Sequence, residues 1–450
     1  MRDLLRDAAE RGIRYRESLD WRRAFPSAEA IVALDTLDVL LPEEPTEPDR
    51  VLALLDEVGS PATAAQSGGR YFGFVTGSSL PITLAANWLA GAWDQNAALV
   101  VMSPIAARLE VIAQRWLLDA LGLPDGCGVG FVTGATMANF SALAAARHAL
   151  LEQQGWDVEA QGLFGAPPIT VIVGDEVHSS LIKALGLVGF GRQRVVTVPA
   201  DGQGRMRANA LPVISGPTIV CLQAGNVNTG SFDPFTEIIR KAHEAGAWVH
   251  VDGAFGLWAA VAPERAPLTA GVAEADSWAT DAHKWLNAPY DSGLVFVRRP
   301  EALQGAMAQN AAYLLTGAGR EPMYLTPEMS RRARGIEIWA ALSTLGRSGL
   351  ADMIERACQQ ANRFAEGLRD AGYAILNDVV LNQVLVSFGE AEATQRVMAA
   401  LQADGTCFCG GTVWQGKTAM RISVSSYATT DEDVERSLAA MIRVAREVGA

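Results

Sequence analysis

The stretch PFTEIIRKAHEAG-AWVHVD, residues 234–252, decides the fold class. Its first thirteen residues read as a helix that stops on Gly246, and AWVHVD (247–252) reads as a strand closing on Asp252. The same alternation extends outward in both directions. Upstream, GVGFV (128–132) leads through Thr133-Gly134-Ala135-Thr136 into a helix over 137–151, and ITVIVGD (169–175) precedes the helical HSSLIKALGLVG. RVVTVPA (194–200) and TIVCLQAG (218–225) are further strands, and downstream SWATD (277–281) and GLVFVRR (293–299) are two more. Strands alternating with helices of this length predict an α/β fold with a mainly parallel sheet covered on both faces.

Around this block the texture changes. Residues 1–60 read as a polar helical segment interrupted by LPEEPTEP (41–48), and residues 61–334 read as the large domain. Residues 335–450, a long helical stretch followed by short strands and two helices, read as a separate α+β small domain. The hydrophobic fraction of 49% and charged fraction of 19% exclude a disordered chain. No apolar run is long enough for a membrane span, and the mixed-charge N-terminus reads as an amphipathic helix rather than a signal peptide. A net charge of −13 without a Lys/Arg run gives no footprint for nucleic acid. Five cysteines, Cys127, Cys221, Cys358, Cys407 and Cys409, suit a reducing cytoplasm and provide no metal-ligand cluster. Cys407-Phe408-Cys409 alternates like a strand.

Three places at predicted strand ends carry chemistry, because open α/β sheets bind ligands there. Gly134, Ala135 and Thr136 open a helix whose free N–H groups suit a phosphate, although alone they also fit a Thr-capped turn. Asp252 precedes the turn Gly253-Ala254-Phe255-Gly256, and taken alone it also fits a helix cap. His283-Lys284 follows the strand SWATD, with apolar neighbours. An anion cradle, a carboxylate and a lysine are together the parts that hold pyridoxal 5′-phosphate. The carboxylate keeps the pyridine nitrogen protonated, and the lysine forms the Schiff base.

At these residues the chain resembles the pyridoxal-phosphate-dependent group II amino acid decarboxylases. The matching motifs run in order: RYFGFVTGSSLP, SPIAARLE, GATMANF, DEVHSSLIKA, GSFDPF, HVDGAFG, DAHKWL and MRISVS, covering roughly residues 70–430. The resemblance implies a fold type I enzyme, like aspartate aminotransferase, working as a homodimer on an amino acid as its small-molecule substrate. It implies Lys284 as the Schiff-base lysine, Asp252 at the ring nitrogen, and His178 and Ala254 on the two ring faces. It implies Gly134, Ala135 and Thr136 at the phosphate with His283 close by, and a loop tyrosine, Tyr324 or Tyr313, as proton donor. Where the family has Gly-Thr-Thr this chain reads Gly225-Asn226-Val227, so Asn226 or Asn228 stands in for a ring-oxygen contact.

The implied reaction is decarboxylation of an L-amino acid to the amine and carbon dioxide. Phe72, Phe74 and Trp93 favour an aromatic side chain, with core packing as their alternative reading. Arg70 would suit an acidic substrate instead, and a diamino acid is a further alternative. Aldehyde-forming decarboxylation, transamination and a cysteine desulfurase-like lyase using Cys407 or Cys409 are the competing reactions. A non-catalytic homologue is the competing class, and the intact Lys284, Asp252 and His178 argue against it.

Overall fold

The computed structural model of the chain describes residues 1–308 and 320–449. They fall into two compact units: residues 1–78, 359–376 and 382–450 form one, and residues 79–358 with 377–381 form the other.

The larger unit is built on seven strands. These are β1 (Gly128–Val132), β2 (Thr170–Gly174), β3 (Val195–Val198), β4 (Thr218–Gln223), β5 (Trp248–Asp252), β6 (Ser277–Asp281) and β7 (Gly293–Val297). Their order across the sheet is β1-β7-β6-β5-β4-β2-β3. β2 through β6 pair in parallel, and β7 is antiparallel to both of its neighbours. The ends of β1, β2, β4, β5 and β6 therefore emerge on one edge, where β7 begins.

The helix Ala135–Glu152 covers one face of this sheet. Its run of alanines lets it lie close, and Ala138, Ala142, Leu143 and Ala145 are fully buried in a core shared with Val171, Trp248, Ala279 and Val295. The helix Phe235–Glu244 stops as expected: Gly246 takes a φ of +74°, a conformation that glycine adopts without steric penalty.

The smaller unit joins the two chain ends. Its four-stranded antiparallel sheet contains β8 (Ala374–Ile375), β9 (Gln383–Ser387), β10 (Gly410–Trp414) and β11 (Lys417–Ser423), in the order β10-β11-β9-β8. Cys407-Phe408-Cys409 lies ahead of β10, not inside it. Phe408 instead bridges Tyr71, with Phe72 N–H donating to Phe408 O at 2.8 Å, and Phe25 and Tyr71 stack on its ring. This pairing is why the compact unit takes the N-terminal segment as far as Ser78, beyond residue 60. At the other end, the helix Gly335–Asp370 is broken at Gly346 (φ +58°) and contributes residues to both units, so the division falls within it and not at 334. The terminal helix Asp431–Glu447 opens with a reciprocal cap between Thr430 and Asp433.

Candidate active site

The carboxyl edge of the large sheet brings most of the expected residues together. Asp252 ends β5 and Asp281 ends β6; Gln223, which ends β4, is the register partner of Asp252. One cavity is lined by His178, Gln223, Gly225 and Val227 on one stretch of wall, and by Asp252, Ala254, Phe255 and Lys284 on the rest.

Lys284 is held by a carboxylate. Its Nζ lies 3.0 Å from Asp281 Oδ2, and Asp281 is 2% exposed. The other oxygen, Oδ1, accepts the Ala135 N–H at 2.6 Å, at the first turn of the helix Ala135–Glu152. An anionic group is thus already seated on this helix end, where free N–H groups and the helix dipole favour negative charge. The loop beneath is tight. A Cβ on Gly134 would stand 3.1 Å from His283 Cε1 and 3.3 Å from Asp281 Oδ1, and one on Gly293 would strike Gly134 Cα at 2.5 Å. His283 is anchored by the Ser292 N–H, donated to its Nδ1 at 3.1 Å, and its ring stacks on Tyr290 with centroids 4.3 Å apart. Burial pushes the His283 imidazole below its usual range against the pull of the Asp281 charge, and the Lys284 charge adds to the depression.

Asp252 is 5% exposed, and each of its carboxylate oxygens accepts one hydrogen bond. Its Oδ2 accepts Asn139 Nδ2 at 2.9 Å, and its Oδ1 accepts the Ala254 N–H at 3.2 Å. His178 caps the helix Ser179–Leu187 through Nδ1, which accepts the Ser180 N–H at 3.2 Å and lies 2.7 Å from the Ser180 hydroxyl. Phe255 meets the ring of Trp285 edge-on.

The departure at 225–227 has a structural form. Gly225 takes φ +89°, and a Cβ there would press on Gly256 Cα at 2.9 Å. Asn226 is buried and turns its amide oxygen to the N–H groups of Asn228 (2.9 Å) and Thr229 (3.2 Å). It builds the loop, and Val227 and Gln223 form the wall in its place. Gln223 donates from Nε2 to Glu176 O at 2.9 Å, and its own N–H is taken by Asp233.

Other expected residues lie elsewhere. Phe72 is 1% exposed and packs edge-on against Phe364 inside the smaller unit, which is core packing. Phe74, in a left-handed conformation, is 64% exposed, and Trp93 is exposed at the end of its helix. Tyr324 is half-buried against Ala98 and Leu99 and does not line the cavity. Tyr313 lies outside the described residues. Arg70, proposed to meet an acidic substrate, is buried, with its guanidinium donating to the carbonyls of Thr406, Asp20 and Arg22. All five cysteines are buried, whereas a desulfurase needs a mobile thiol.

Three residues at the site escaped sequence reasoning. Asp281 sat inside the motif DAHKWL, where only the histidine and the lysine drew a role. Asn139 was the lone amide on an alanine-rich helix, and Gln223 the last side chain of an apolar strand; each departure from the apolar pattern was a signal.

A lysine, a carboxylate and an imidazole in one cavity match the donor set that pyridoxal phosphate requires, and the sheet carries them as fold type I enzymes do. The comparisons agree. A crystal structure of Oryza sativa TDC with PLP and tryptamine superposes with a TM-score of 0.91 at 23% identity, covering 99% of this chain and 97% of that one. The model of the pyridoxal-dependent decarboxylase conserved domain matches residues 36–389, and the chain belongs to that family. It is a pyridoxal-phosphate-dependent carboxy-lyase. Among its relatives, tryptophan decarboxylase 1 of Oryza sativa subsp. japonica is 28% identical over 397 residues, covering 79% of this chain and 76% of the relative. Aromatic-L-amino-acid decarboxylase of Bos taurus is 29% identical over 394 residues, covering 82% and 80%.

Proposed function

We propose that the enzyme decarboxylates an aromatic L-amino acid to its amine. The observation that carries the site assignment is the convergence of Lys284, Asp252, His178 and Ala254 on one cavity. The aromatic substrate rests on the relatives' activities and on the Val227 and Phe255 walls, which suit an apolar side chain.

Lys284 is the amine that would hold the cofactor covalently. Gly134, Thr136 and, once Asp281 releases its N–H, Ala135 would take its phosphate with His283 beside them, and His178 and Ala254 would bracket its ring. When bound, pyridoxal phosphate supplies the electron sink that accepts the pair left on the α-carbon as carbon dioxide departs. Asp252 would keep a proton on the ring nitrogen, since a carboxylate favours the cationic partner. Val227 and Phe255 would keep water from the reacting carbon.

Assay a panel of aromatic, acidic, diamino and sulfur amino acids for carbon dioxide and amine, and map the peptide labelled after borohydride reduction. Turnover of tryptophan, tyrosine or phenylalanine, with the pyridoxyl label on Lys284, is expected. Preference for an acidic or diamino acid overturns the substrate, and a label on Lys183, Lys241 or Lys417 overturns the lysine.

A second copy of the chain completes this reading. Leu40 and Leu41 in the 1–60 segment are 93% and 91% exposed, and Val100, Val101 and Met102 are exposed as well, which supports a homodimer. Sizing with light scattering tests it, and an active monomer is the opposing result. The five buried cysteines, none of them in a disulfide, support a reducing, cytoplasmic setting.

A further inference from the structure

Trp248, His250 and Asp252 alternate along β5, so all three side chains leave the same face of the strand. Ser277, the register partner of His250 on β6, and Asn139, from the helix Ala135–Glu152, close on that face. The five side chains are buried and touch in sequence. Trp248 Nε1 donates to Ser277 Oγ at 2.9 Å, and Ser277 Oγ lies 3.0 Å from His250 Nδ1. His250 Nε2 lies 2.9 Å from Asn139 Oδ1, and Asn139 Nδ2 donates to Asp252 Oδ2 at 2.9 Å.

The two ends decide the sense of every link. An indole N–H can only donate, and a carboxylate can only accept. Trp248 therefore uses Ser277 as acceptor, and the serine hydroxyl turns its own proton to His250 Nδ1. His250 must then carry its hydrogen on Nε2 and donate to Asn139, whose amide donates onward to Asp252. Reversing the chain demands a proton on Asp252 and leaves Ser277 accepting from both neighbours. Hydrogen bonds aligned in one direction polarise one another, and this chain ends with its donor on the carboxylate.

We infer that His250 and Asn139 are positioning residues: with Ser277 and Trp248 they form a one-way hydrogen-bond chain that orients the Asp252 carboxylate toward the cofactor ring nitrogen. The inference rests on the reading of Asp252 given above. The chain needs an uncharged imidazole, and complete burial pulls His250 down to about 4, which keeps it neutral.

The test combines a spectrum of the whole protein with three variants. In chain uniformly labelled with ¹⁵N-histidine, the His250 ring is expected as the Nε2–H tautomer, identified by comparison with His250→Gln. The Nδ1–H tautomer or an imidazolium overturns the direction of the chain, with or without cofactor present. His250→Phe is expected to lower kcat about tenfold or more, to leave KM within about threefold, and to shift the absorbance bands of the bound cofactor. His250→Gln, whose amide can donate to Asn139 and accept from Ser277, is expected to restore at least half of the wild-type kcat. Equal losses in the two variants, or none in His250→Phe, overturn the positioning role. Should His250→Phe fail to fold, the tautomer and the His250→Gln rate decide. Asp252→Asn is measured alongside. If it keeps wild-type turnover, the reading of Asp252 has failed; if it loses turnover while His250→Phe does not, only the chain has failed.

Discussion

The carboxylate of Asp281 lies 3.0 Å from Lys284 Nζ. Because its second oxygen holds the Ala135 N–H at 2.6 Å, one side chain ties the lysine to the helix end where an anion belongs.

Asp281→Ala removes both contacts and strands a buried N–H and an ammonium. Loss of a buried partner of this kind costs on the order of 3 kcal/mol. Urea unfolding of the cofactor-free chain should show that drop. Asp281→Asn should recover about half of it, since its amide oxygen can still accept from Ala135. A drop below about 1 kcal/mol for Asp281→Ala contradicts the account.

Asp252→Asn should retain cofactor and lose turnover. The amide cannot hold a proton on the ring nitrogen by charge, and such stabilisation is worth several kcal/mol, so a fall of roughly a hundredfold or more in kcat is expected. Steady-state kinetics on the fully loaded variant checks it, and near wild-type rates would falsify the role.

His250 should shape the response to acid. Burial holds it at about 4 in the folded chain, opposed in part by the charge of Asp252 and by the Ser277 backbone. A depressed imidazole contributes stability that is present above its unfolded value near 6.5 and is lost as pH falls through about 4. Asp233 runs the other way. Burial raises it to about 6, so its contribution is present below about 4 and fades as pH rises through about 6. Comparing wild type with His250→Gln isolates the first effect. The stability gap between them should shrink by about 3 kcal/mol between pH 7.5 and pH 4, measured by denaturant midpoints. A gap that does not change with pH rules it out.

Tyr324→Phe should leave the ratio of amine to aldehyde unchanged, because Tyr324 packs on Ala98 and Leu99 instead of lining the cavity. Separate assays of amine, aldehyde and carbon dioxide decide. A rise in aldehyde would restore Tyr324 as proton donor.

The residues that sequence reasoning placed well share one property: they sit at ends of strands that periodicity reveals. Asp252 and Lys284 follow apolar β-branched or aromatic runs, and a parallel sheet collects such ends on one edge without further information. Phe72 was illegible for the opposite reason. Its surroundings depend on Phe364, 292 positions away, and no local pattern reports such a partner. Cys407-Phe408-Cys409 alternates like a strand and is extended, yet its pairing partner is Tyr71, so the pattern told the conformation but not the neighbour. Asn226 could not be assigned from its amide alone, since the turn around it determined which atoms it faces.

The smaller unit is assembled from the two ends of the chain, with Tyr71 and Phe72 bridged to Phe408. That has a consequence during synthesis. Residues 79–358 form a unit nearly complete in themselves and can fold as they leave the ribosome, while residues 1–78 must wait for partners not yet translated. At roughly 5–20 residues per second the wait lasts on the order of tens of seconds. Until then the contacts of Tyr71 and Phe72 with Phe408 and Phe364 cannot form, so the fold of the N-terminal segment depends on chain made much later.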